Sequence, residues 1–107
     1  MSLEKTNTVD AVGIEKATGK VVLTIADSWN WQDEAAHLSA LKEKLNAYGN
    51  FIESGEIWES YPQSQGRKVV IDVVSRFPVP MTAMNFLKRV SALFGDAGTE
   101  LRISYGP

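Results

Sequence analysis

At 107 residues, with 44% apolar and 22% charged residues, the chain has the size and composition of one folded domain and not of a disordered tail. Eleven basic and thirteen acidic residues leave a net charge of −2, which excludes a strong electrostatic pull on a polyanion. The absence of cysteine excludes disulfides and zinc-thiolate sites, and no run approaches the ~18 apolar residues of a membrane span.

Met1 to Thr8 is polar, so no signal peptide or anchor is expected there, and residues 1–7 are expected to be flexible ahead of a single domain spanning 1–107. Thr8 to Lys16 and Lys20 to Asp27 are rich in β-branched residues and are joined by Ala17-Thr18-Gly19, a pattern that predicts an N-terminal hairpin with Gly19 at positive φ. In the second strand Val21, Leu23 and Ile25 share one face, and Val22, Thr24 and Ala26 the other.

Trp31, Ala35, Leu38, Leu41, Leu45, Tyr48 and Ile52 then recur at steps of three and four, one face of a long helix. Asn30 is its expected N-cap, Asp33 and Glu34 suit the positive first turn, and Gly55 is the expected stop. Glu56 to Gly66 has no period and reads as a loop with room for one helical turn. Arg67 to Phe77 alternates, with Val69, Ile71, Val73, Ser75 and Phe77 on one side and Lys68, Val70, Asp72, Val74 and Arg76 on the other.

Pro78-Val79-Pro80 ends that strand, and Thr82 is the expected cap of a second helix with the stripe Ala83, Phe86, Leu87, Val90, Leu93, Phe94 and Ala97. After Gly98, the residues Leu101, Ile103 and Tyr105 alternate with Glu100, Arg102 and Ser104 as a last strand. The order ββαβαβ predicts an α+β, two-layer sandwich: a four-stranded mixed sheet with two helices on one face. Right-handed crossovers restrict the strand order to 1-2-3-4 or 2-1-3-4. A third strand reversed by the long loop would give a ferredoxin-like antiparallel sheet instead.

Two helices on one face leave the other open, with Val22, Thr24, Ala26, Val70 and Val74 among Lys68, Asp72, Arg76, Glu100, Arg102 and Ser104. Such a surface is either a solvated sheet or a docking face. The runs Val9-Asp10-Ala11-Val12-Gly13-Ile14 and Val21-Val22-Leu23-Thr24-Ile25, the segment Phe51-Ile52-Glu53-Ser54-Gly55 with Tyr61-Pro62, and Gly66-Arg67-Lys68-Val69-Val70-Ile71 together resemble a family of small, uncharacterised bacterial proteins, a domain of unknown function. The resemblance spans roughly Val9 to Arg102 and implies a bacterial, cytoplasmic protein; it carries over no activity, cofactor or site residue.

Glu34-x-x-His37, with Asp33 one turn before the histidine, is the one metal-ligand spacing in the chain, and Asp33, Glu34 and His37 are the candidate metal or acid–base set. The plainer reading is an exposed helix histidine beside an acid. Trp29 and Trp31 flank Asn30; Trp31 is in phase with the buried stripe, which leaves Trp29 as the interface candidate. Trp58 and Tyr61 lie in the irregular loop, either as a recognition surface or as a flap over the core. Arg67, Lys68, Arg76 and Arg102 could form a basic strip, but Asp72 and Glu100 interrupt it and no aromatic platform accompanies it, so ion pairing is expected and nucleic-acid binding is not.

With no nucleophile motif and no cofactor signature, no catalytic residue is assigned. The favoured function is a small cytoplasmic protein-interaction module, bound to a protein partner or as a homodimer, in one version a neutralising or accessory partner of another protein. Its interaction candidates are Trp29, Trp58, Tyr61, Arg76 and Arg102, and no membrane is involved. The alternative is a small-molecule- or metal-dependent enzyme built on Asp33, Glu34 and His37.

Overall fold

The computed structural model describes residues 11–105. The elements are β1 (Ala11–Ile14), β2 (Val21–Asp27), α1 (Glu34–Glu53), the short helix α2 (Glu56–Ser60), a 3-10 turn (Pro62–Ser64), β3 (Val69–Ser75), α3 (Met81–Asp96) and β4 (Thr99–Tyr105). The sheet order is β1-β2-β3-β4, with β1 antiparallel to β2 and the other pairs parallel. This is the α+β sandwich that the periods predict, in the first of the two allowed orders. Thr8, Val9 and Asp10 of the expected first strand lie outside the described residues.

The core forms where strand parity meets the helix stripes. Val21, Leu23, Ile25, Ile71 and Val73 point to the helix layer and pack with Leu41, Leu45, Tyr48, Ile57 and Leu87. The helical contribution to this core differs from the expected stripe. His37, Leu41, Lys44, Leu45 and Tyr48 are the buried residues of α1, while Ala35 is exposed. The α1 N-cap is Asp33, whose Oδ1 accepts from Ala36 N at 3.1 Å, and not Asn30. Asn30 instead closes a local turn, its Oδ1 accepting from Gln32 N. Pro80, not Thr82, precedes α3; the Thr82 hydroxyl donates to Glu34 Oε1 at 2.9 Å and ties the two helix N-termini together.

The expected loop after α1 is more regular than its sequence suggests. Ile57 is fully buried, and the Ser64 hydroxyl donates to Tyr61 O at 2.6 Å, which closes the turn by a bond that hydropathy does not register. On the open face the charged residues pair: Lys20 with Glu100 at 3.0 Å and Arg102 with Glu15 at 3.0 Å, while Ser104 donates to Asp72 Oδ1 at 2.9 Å. Val70, on this face between the strands that carry these pairs, is fully buried.

Hydrogen bonds first from Arg102 and then from Thr18 hold the Glu15 carboxyl below the ordinary glutamate value of 4.5. Because the folded-state value is depressed, the stability that Glu15 contributes is full above the unfolded-state value and is lost as pH falls through the folded one. Glu15→Gln should therefore flatten the acid limb of the stability curve relative to the parent, measured as urea midpoints from neutral to acidic pH. Since the pair is partly exposed, the difference is small. Parallel curves for the two proteins would remove the pair from the acid response.

Candidate functional site

Two regions of the molecule combine unusual chemistry or unusual exposure. The first is at the carboxyl end of the parallel strands, where Asp27 of β2, Ser75 of β3 and Tyr105 of β4 stand in register. Ligands of parallel sheets bind at this end. Asp27 is only 2% exposed because it continues the buried parity of Val21, Leu23 and Ile25, and His37 is 1% exposed because it occupies the first turn of α1 directly above the strand end.

His37 Nε2 lies 2.5 Å from Asp27 Oδ2, and His37 Nδ1 lies 3.0 Å from the carbonyl oxygen of Asn30. A carbonyl only accepts, so Nδ1 carries a proton, and the contact at Nε2 holds one further proton between imidazole and carboxylate. The other Asp27 oxygen accepts from Trp29 N at 3.1 Å. Trp31 stacks on the imidazole, with ring centroids 3.5 Å apart and planes 14° apart, and Trp29 meets it edge-on at 5.6 Å. Among the described residues Trp31 Nε1 is buried without a hydrogen-bond partner.

This arrangement corrects the expectation of an exposed histidine. Both ring nitrogens contact internal partners and both side chains are almost fully buried, so the pair fastens the Ser28–Gln32 connection to the end of β2. Asp33, Glu34 and His37 are not brought together. Asp33 caps α1, Glu34 accepts from Thr82, and His37 turns inward. Among the described residues no group of three His, Asp or Glu side chains could hold a metal ion.

The interaction candidates also disperse. Trp29 and Trp58 are half-buried against the core, and Tyr61 is half-buried at the α2 C-terminus. Arg102 is paired with Glu15, Arg67 donates to the Gln63 and Gly19 carbonyls, and Arg76 lies over the Phe77 ring at 5.9 Å.

The second region lies on the helix layer. Along α3, Ala83 and Leu87 are fully buried, Phe86, Val90 and Phe94 are half-buried, and Leu93 is 70% exposed. Between α3 and the C-terminal half of α1 runs an open groove of about 670 Å³, lined by Leu45, Gly49 and Ile52 from one helix and Phe86, Val90, Leu93 and Phe94 from the other. Its α1 rim carries Lys42, Asn46 and Glu53. The glycine has a local reason: a Cβ at position 49 would stand 3.3 Å from the Phe94 ring, so Gly49 lets that ring sit against α1.

Sequence reading missed this groove because it places the whole α3 stripe in the core. Seven apolar positions over four turns are an ordinary core-facing stripe, so the pattern carries no signal that Leu93 stays outside.

The chain belongs to the family DUF6572, a family of unknown function, whose model matches residues 1–106. No curated protein and no solved structure matches it. No helix among the described residues is long and apolar enough to cross a membrane.

Proposed function

We propose that this DUF6572 protein is a protein-interaction module whose contact surface is the groove between α1 and α3. The observation that carries the reading is Leu93, a large apolar side chain 70% exposed at the edge of an apolar groove of about 670 Å³. Covering a leucine fully is worth about 1.5–3 kcal/mol, and an exposed apolar groove on a small domain marks a place where another chain packs. The buried Asp27–His37 pair supports the same division of labour, because it stabilises the opposite end of the sheet without presenting a reactive group.

The test separates binding from folding. Leu93→Glu should leave the urea unfolding free energy within about 0.5 kcal/mol of the parent, because the side chain is mostly in solvent. Tagged protein recovered from its own cells should carry a bound chain, a second copy or another protein, that the variant loses. A bound chain retained by Leu93→Glu, or none with either protein, would sink this reading.

A further inference from the structure

We propose that the occupant of the groove is a second copy of this chain, packed about a two-fold axis with α1 antiparallel to its counterpart. This deepens the reading of the groove as a contact surface and rests on it. A two-fold interface must be self-complementary, each copy presenting both the projection and the hollow that receives it. The surface has both: Leu93 projects from α3, and the groove floor of Leu45 and Ile52 lies beside it.

The charges on the rim give the direction. Lys42, Asn46, Gly49 and Glu53 recur at steps of four, three and four, so they form one row along α1, with a cation at one end and an anion about 16 Å away at the other. Neither Lys42 nor Glu53 has an ion-pair partner among the described residues. Laying the row antiparallel on its own copy sets Lys42 against Glu53 twice. A parallel arrangement would set like charges together. The antiparallel two-fold is therefore the packing in which the rim charges match.

The full chain should sediment as a dimer at micromolar concentration. Leu93→Glu places a carboxylate in each apolar contact and should weaken the dimer by about a hundredfold or more. Lys42→Glu and Glu53→Lys, each converting two attractions into two repulsions, should weaken it by about tenfold. The double variant Lys42→Glu/Glu53→Lys restores opposite charges across the axis and should recover dimerisation to within about threefold of the parent, an outcome that a generic loss of stability would not produce. A chain that stays monomeric while Leu93 still governs capture of a different protein would overturn the second-copy proposal and leave the interaction module standing. A dimer indifferent to Leu93→Glu would overturn the proposal, and, if capture of other chains is equally indifferent, the module reading with it. A double swap no better than the single variants would overturn the antiparallel arrangement.

Discussion

Truncating His37 to alanine should lower the unfolding free energy by about 3–5 kcal/mol, because it leaves the Asp27 carboxylate buried without its partner. Asp27 is 2% exposed and His37 1%, so water cannot replace the lost contact without opening the strand end. A domain of this size has a total stability of about 5–15 kcal/mol, and the change removes a large part of it. The indole of Trp31 loses its stacking surface at the same time. Asp27→Asn should be milder, about 1–2 kcal/mol. An amide can donate to Nε2 of a neutral imidazole while its oxygen still accepts from Trp29 N, so the donor and acceptor pattern survives. Urea denaturation with linear extrapolation measures both. A His37→Ala loss below about 1 kcal/mol would show that the pair is not a main fastening of α1 to the sheet.

Tyr48 is the second position at which a large effect is expected, and its contribution can be divided. The side chain is fully buried in the core, and its hydroxyl donates to the Thr24 carbonyl at 2.6 Å, which joins the C-terminal half of α1 to β2. Tyr48→Ala should cost about 3–5 kcal/mol through the cavity it leaves, while Tyr48→Phe keeps the ring and should cost about 1 kcal/mol through the lost hydrogen bond. The Lys44 ammonium, 5.7 Å from the same ring centroid, stays over an aromatic face in the phenylalanine variant and loses it in the alanine variant. Equal losses for the two variants would place the contribution of Tyr48 in its hydroxyl and not in its packing.

The buried pair shows what was legible and what was not. Val21, Leu23, Ile25 and Asp27 have one parity, and His37, Leu41, Lys44 and Tyr48 recur at steps of four, three and four, so both partners sit on rows that become buried. Counting apolar residues passes over them because Asp, His and Lys register as solvent-seeking. The apparent cluster Asp33, Glu34 and His37 arises from helical proximity alone; capping turns Asp33 to the backbone, and the Thr82 hydroxyl draws Glu34 to the neighbouring helix. Spacing along one helix specifies which Cβ atoms are neighbours, not which distant partner each polar atom satisfies.

By itself, the sequence determined the elements and their layering. Periods of two and near 3.6 set which face of each strand and helix is apolar, and right-handed crossovers left two strand orders. The tertiary structure alone decided that β1 lies at the outer edge beside β2, that His37 points inward to Asp27, and that Leu93 is left outside the core. The physical reason is that periodicity reports burial averaged over a face. A hydrogen bond or an uncovered side chain depends on the separation of elements far apart in the chain, here the gap between α1 and α3 that Phe94 and Gly49 set.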